Sequence, residues 1–397
     1  MKRRVFLQTI SAIPTLSLAA RNALSDQESK LDHWRVFELT TRIEVLRPAG
    51  TTLIWAPTAL TNSDSSFQRT MGDKFTCEGG TAKIFKTQKE GLGILAASFP
   101  AGAKPSLTIT SRAATRNWAV DLASPAGKRR KKASDLATFV RSTKLVPTDG
   151  IVKQRAIEIT KGAETDIQKA RAIYEWIVEN TYRNPKTRGC GTGNIRYMLE
   201  SGDLGGKCAD LNALYVGLAR AVGLPARDVY GIRVAKSGLG YKSLGPSSEN
   251  VTKAQHCRAE VYLSDYGWVP VDPADVRKVM LEETPGNRSL DDELVKSARS
   301  RLFGSWEMNW LAYNFAQDVT LPGSSGPPLR FLMYPQAETS QGRVDSLDPE
   351  SFRYEITAKE ITTPLESFRQ RGLAPGTCHL WGRLTSLRRH YVRLFRM

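Results

Sequence analysis

The chain has 397 residues, 41% hydrophobic and 24% charged, long enough for two or three domains with buried cores. No apolar run reaches the roughly 18–20 residues of a membrane span. The formal charge of +17 comes in part from Lys2-Arg3-Arg4, from Lys128-Arg129-Arg130-Lys131-Lys132 and from a tail beyond Glu366 with seven arginines and no acid. No aromatic-interleaved basic platform accompanies these runs, so a solvated excess of charge is expected and no nucleic-acid partner.

Residues 1–25 read as an export signal: Lys2-Arg3-Arg4, an apolar stretch to Leu18, then small residues at Ala23 and Ser25. The arginine pair followed by Val5-Phe6-Leu7 resembles a twin-arginine signal, with cleavage expected between Ala20 and Ser25. Export predicts a periplasmic or otherwise external location, with no transmembrane segment once the signal is removed. Residues 33–122 carry short strand-like runs punctuated by Gly, Pro and Asn, the pattern of a β-sandwich-like domain. Residues 123–134 read as a basic linker. The predicted core, 135–285, opens with helical periodicity, most regular over Asp166–Asn180 with Thr165 as N-cap.

The Gly- and Arg-rich stretch 185–206 reads as an ordered loop feeding a helix that begins at Cys208. Leu211, Leu214, Tyr215, Leu218, Ala219 and Val222 mark one apolar face of that helix, and Gly223 with Pro225 ends it. A cysteine in the first turn sits where free N–H groups and the helix dipole favour a thiolate, although free cysteines are commonly small buried fillers. Gln255 to Leu263 alternates as a strand, with His256, Arg258, Glu260 and Tyr262 on one face. Ser264–Gly267 turns the chain, and Trp268 to Val271 returns it. With Tyr262 opposite Trp268, Arg258 falls opposite Asp272, and His256 becomes the diagonal neighbour of Asp272, within roughly 7–8 Å. Residues 286–361 read as a helical and β extension, helical over 289–316 and β-like at Pro328–Met333 and Phe352–Ile356. The tail, 362–397, is expected to be poorly ordered and without a catalytic role.

Five cysteines (Cys77, Cys190, Cys208, Cys257 and Cys378) leave at least one unpaired. With no Cys-x-x-Cys and four histidines, neither a structural metal site nor a cofactor is expected. Cys208, His256 and Asp272 are the candidate nucleophile, base and orienting carboxylate. An imidazole can take the thiol proton, and a carboxylate fixes the imidazole tautomer. The natural oxyanion donor is the Cys208 N–H, with a second from 185–206. Cys257, pointing to the opposite face from the imidazole, reads as packing or as a disulfide partner.

Gly206-Lys207-Cys208-Ala209-Asp210, the helix end Ala219 to Arg227, His256 to Glu260, and Tyr266 to Pro273 together resemble the transglutaminase-like superfamily. The resemblance spans roughly residues 150–280 and implies an α+β, papain-like core, with the cysteine-bearing helix packed on an antiparallel sheet behind a β-sandwich-like domain. It also implies that Cys208 attacks a carboxamide, His256 shuttles the proton and Asp272 orients His256. A protein or peptide substrate follows, cell-envelope material included, with hydrolysis favoured over amine cross-linking. A catalytically silent protein-binding module of the same fold is the alternative. Many members carry a Trp two residues after the histidine. Arg258 stands there in this chain, which points to a carboxylate-bearing substrate, with Arg258 and Trp268 as the expected substrate contacts.

Overall fold

The computed structural model describes residues 33–361 apart from 63–64, 126 and 128–130. The stretch expected to be an export signal, residues 1–25, and the arginine-rich tail lie outside the described residues. Strands β1 (Arg35–Val45), β2 (Thr52–Pro57), β3 (Gln68–Glu78), β4 (Thr81–Thr87), β5 (Leu92–Phe99) and β6 (Ser106–Thr115) come first. Helices α1 (Gly150–Ile159), α2 (Asp166–Asn180), α3 (Ile195–Ser201) and α4 (Cys208–Ala221) follow. Next come β7 (Ala226–Arg233), β8 (Gln255–Leu263), β9 (Gly267–Val271), α5 (Pro273–Glu282) and α6 (Glu293–Arg301). The last elements are β10 (Trp310–Asn314), β11 (Gln336–Thr339), β12 (Gly342–Val344) and β13 (Phe352–Ile361).

Two antiparallel sheets, ordered β13-β1-β6-β3 and β12-β11-β2-β5-β4, share one apolar core. Ile43 and Ile109 from the first sheet meet Ile54, Leu95 and Phe99 from the second. The expected sandwich is there, but three of its strands come from residues 336–361. β13 pairs with β1 from Val36–Ile361 to Val45–Phe352, so the first described strand is completed by the last. The stretch 286–361 is therefore not a separate appendage.

A third antiparallel sheet, β9-β8-β7-β10, carries α4. The hairpin register matches the expectation: Tyr262 lies opposite Trp268 and Ala259 opposite Val271, which sets Arg258 beside Asp272. The β8–β9 hairpin also receives the residues before the core, through Lys131 N–H to the Tyr262 hydroxyl and Tyr266 hydroxyl to Leu122 O. Thr165 caps α2 with a complete capping box, its hydroxyl accepting from Gln168 N–H while the Gln168 side chain accepts from Thr165 N–H. Helix α4 departs from the one-faced pattern. All fourteen of its residues are buried, between β8 on one side and α1, α2 and α5 on others. Leu211, Leu214 and Leu218 are fully buried, each contributing about 1.5–3 kcal/mol relative to exposure.

Three further departures have simple causes. Trp310–Asn314, read as helical, is a strand whose every residue is buried, so it shows no two-residue alternation. The stretch 185–206 contains α3, capped by the Asn194 side chain and only two turns long. Pro328–Met333 forms no strand; a single bridge joins Leu329 to Val319, where Pro327 and Pro328 supply no N–H for a ladder.

Candidate active site

The site is assembled where the start of α4 meets the start of β8. Asp210, in the first turn of α4, accepts N–H groups from Thr192, Gly193 and Lys207. One buried carboxylate thus ties the 190–193 loop and the chain before Cys208 to the helix. Gly191 (φ +97°) permits this closure, since a Cβ there would lie 1.8 Å from Asp210 Oδ2. The Ala209 N–H donates to Cys190 O, setting Cys190 beside Cys208. The Cys208 N–H itself has no acceptor within the chain among the described residues.

His256 is fixed from both sides. Its backbone O accepts from Trp310 Nε1, and Gly231 opposite it in β7 leaves room for that indole, where a Cβ would sit 2.5 Å from the ring. Its Nε2 lies 2.8 Å from Asp272 Oδ2. That leaves Nδ1 free of Asp272, and Cys208 and His256 line one cleft, with the imidazole lowering the thiol's pKa. Asp272 is also the N-cap of α5, accepting the Asp275 N–H at 3.1 Å, with Pro273 preset at the first helical position. Asn212, one turn after Cys208, donates to Asp272 Oδ1 at 3.2 Å and to Cys257 O at 2.8 Å. The three expected catalytic residues are therefore brought together in the order Cys208, His256, Asp272.

Charge in this cluster is managed by arginines. Arg233 holds Asp275 with two hydrogen bonds at 2.6 and 2.8 Å. Burial depresses His256 and Arg233 depresses it further, but Asp275 and Asp272 outweigh both, and its pKa is raised above the ordinary value. Around Cys208 two neighbouring thiols, Cys190 first and Cys257 second, favour its ionised form. They hold its pKa well below the usual thiol range against burial, and His256 adds to the lowering. The opposite shift falls on those neighbours: Cys190 and Cys257 are both pushed well above that range, and the Cys190 S–H donates to Gln255 O at 3.3 Å. Cys77, Cys190, Cys208 and Cys257 are unbridged. Cys257 does project from the face opposite His256, as alternation requires, but that face is the one on which α4 lies. It is thus a packing residue against α4 and not a disulfide partner. Cys378 lies outside the described residues.

His256, Asp272 and Asp275 offer ligand atoms within 4.8 Å of one another, the grouping that could be drawn around a cation. Arg233 and Arg258 already supply positive charge to those carboxylates, so a further divalent ion would meet two guanidiniums.

The two expected substrate contacts are placed elsewhere. Arg258 is 2% exposed and lies behind the His256–Asp272 pair, with Nε 3.5 Å from Asp272 Oδ2 and Nη1 bonded to Glu307 O at 2.8 Å. Its guanidinium stacks over Trp306 and Trp310, and burial brings its pKa down to about 10, still a cation at neutral pH. Trp268 packs edge-on to Phe139 and Tyr262 with Arg227 over its ring. Neither lines the cleft. Arg258→Met is expected to destabilise the fold by about 3–5 kcal/mol, because Asp272 then keeps a buried charge with one partner fewer. Denaturant unfolding measures this, and a midpoint unchanged from wild type would refute it.

The cleft beside Cys208 and His256 encloses about 360 Å³, and a second recess of about 450 Å³ continues from it past Cys190, Lys207, Lys253 and Gln255. Gln255 was not singled out from the sequence. It is 8% exposed, lines both recesses, and its Nε2 has no hydrogen-bond partner among the described residues. A Gln at the first position of the strand that carries the histidine has no signal of its own.

Residues 153–273 match the profile described as the transglutaminase-like superfamily. An uncharacterized protein of Haemophilus influenzae is 32% identical over 380 residues, which cover 91% of this chain and 100% of that protein. The chain belongs to the transglutaminase-like superfamily. Its mixed α and β architecture, with antiparallel sheets, is that of transglutaminase-like and papain-like proteins. Among solved structures, a candidate cysteine protease from Cytophaga hutchinsonii is 16% identical, with a TM-score of 0.47 over 83% of this chain and 99% of that one. The periplasmic domain of TgpA from Pseudomonas aeruginosa is 12% identical, with a TM-score of 0.34 over 65% and 92%. Among the described residues of this transglutaminase-like chain, no helix is long and apolar enough to cross a membrane.

Proposed function

We propose that this chain is an exported cysteine acyl-transfer enzyme acting on peptide or Gln amides, with hydrolysis as its main outcome. The observation that supports the reading is the placement of Cys208 and His256 in the wall of one cleft, with His256 held by Asp272 at 2.8 Å. The lowering of Cys208 and the raising of His256 favour a resting pair of thiolate and imidazolium. The sulfur attacks the amide carbonyl carbon, forming a C–S bond and an oxyanion. His256 then gives its proton to the amine as the C–N bond breaks, leaving a thioester. Water attacks that thioester, His256 takes the proton, and the C–S bond breaks to release the acid and restore the thiolate. An amine in place of water gives cross-linking instead.

The free Cys208 N–H and the unpartnered Gln255 Nε2 support a role as the two oxyanion donors. On that assignment Gln255→Leu lowers kcat by about 10²–10³ with little change in KM. A loss confined to KM would count against it. The activity itself is tested by incubating wild type and Cys208→Ala with a peptide library and a tagged amine. Cleavage in wild type alone supports hydrolysis, tag incorporation supports transfer, and the absence of both rejects the enzyme reading.

A further inference from the structure

We propose that the cleft beside Cys208 is an anion-binding subsite, selecting amides that carry a carboxylate next to the bond attacked. The inference rests on the acyl-transfer reading and adds the substrate class. Five basic side chains line the cleft (Arg183, Lys207, Arg233, Lys253 and Lys278), and none of its lining residues is acidic.

Their neutralisation is incomplete. Glu282 forms an ion pair with Arg183 and also lies 3.6 Å from Lys278, so one carboxylate serves two cations. Asp275 is committed to Arg233. Lys207 and Lys253 have no carboxylate partner among the described residues. Two carboxylates thus face five cations, while the Cys208–His256 ion pair is neutral as a whole and Asp272 is balanced by Arg258. Lys278 registers the excess: burial first, and then Arg233, hold its pKa below the ordinary lysine value. Like charges gathered in a partly buried cleft repel one another until an anion arrives, and such clefts concentrate anions by focusing the field. A neutral amide has no use for this arrangement. The carboxylate is the anion that peptide-type amides carry, from a side chain or from a chain end. Arg258, the residue from which sequence alone suggests acid recognition, takes no part, being sealed behind the triad.

Two thiol reagents that differ in charge separate this inference from the reading beneath it. Cys208 alkylation is timed with iodoacetate and with iodoacetamide at one pH, and their rate ratio is compared with that of a small neutral thiol. The ratio is expected to exceed the reference by about tenfold or more and to fall with added salt. It is expected to drop in Lys253→Met and Lys278→Met. Lys253 is exposed, so its removal leaves the fold intact. A ratio equal to the reference, or unchanged in both variants, overturns the subsite and leaves the acyl-transfer reading standing. Failure of both reagents to label Cys208 below the ordinary thiol pKa overturns that reading, and the subsite with it. Protection from iodoacetamide by N-acetylglutamic acid α-amide assigns the carboxylate to a side chain, and protection by N-acetylalanine to a chain end. Protection by neither also overturns the inference.

Discussion

Cys208→Ala is expected to lower turnover on the order of a millionfold and to abolish any thioester intermediate. Its magnitude follows from the site's construction: no other group can reach the carbonyl as a charged nucleophile. Cys190 and Cys257 are neighbouring thiols, but both are pushed toward the protonated form, and the Cys190 S–H donates to Gln255 O. When a nucleophile and its base act as one unit, removing the nucleophile alone costs about as much as removing both. The measurement is single-turnover cleavage with mass-spectrometric trapping of the acyl-enzyme on wild type and variant. Residual activity within a hundredfold of wild type would mean that a different residue carries the chemistry. The Ala side chain fits the buried position without strain, so a parallel thermal melt separates loss of chemistry from loss of fold.

Asp272→Asn follows, with an expected fall in kcat on the order of 10⁴. An Asn carbonyl can still cap α5 through the Asp275 N–H, but its amide is neutral, and turned toward His256 it can present a donor to Nε2. The tautomer that leaves Nδ1 for the thiol is then no longer enforced. The pH profile carries a second signature, whose sign is fixed by the shifts in wild type. Cys208 is lowered, so the acid limb of kcat/KM, where the thiolate is protonated, lies below the ordinary thiol pKa of about 8.5. His256 is raised, so the alkaline limb, where the imidazolium is lost, lies above about 6.5. Removing the Asp272 charge takes away one of the two carboxylates that raise His256, and the alkaline limb moves to lower pH. A limb that stays in place, with kcat reduced, would assign Asp272 a purely structural part.

The hairpin was legible because both its determinants are local. Alternation from Gln255 to Leu263 and the turn at Ser264–Gly267 set the register, and the register alone puts His256 and Arg258 beside Asp272. Helix α4 was legible in extent but not in surroundings. Its periodic residues name one apolar face, and nothing in them says that Asp210, Asn212 and Arg220 are buried too. Asp210 accepts from the 192–193 backbone, Asn212 donates to Asp272 and to Cys257 O, and Arg220 donates to Ala226 O, and no periodicity of the helix names these partners. Arg258 shows how a correct register can still mislead. Being on the face of His256 put it near the chemistry, but which side of the histidine it occupies depends on Trp306 and Trp310, two residues in a stretch that periodicity assigns to a helix. Gln255 and Cys190 have no sequence signature at all; each matters only because two loops converge on the start of α4.

Strand β13 does more than close the sandwich. Asn250 forms a bridge with Thr357, the Val251 N–H donates to Ile356 O, and the Ala358 N–H donates to Glu249 O. These bonds anchor the segment that carries Lys253 into the cleft wall. The order of synthesis therefore governs when the site can exist. A growing chain that already holds Cys208, His256 and Asp272 lacks both the partner of its first strand and the anchor of its cleft wall until residue 361 has emerged. The cleft wall and the sandwich are thus completed together, and only once residues 336–361 are in place.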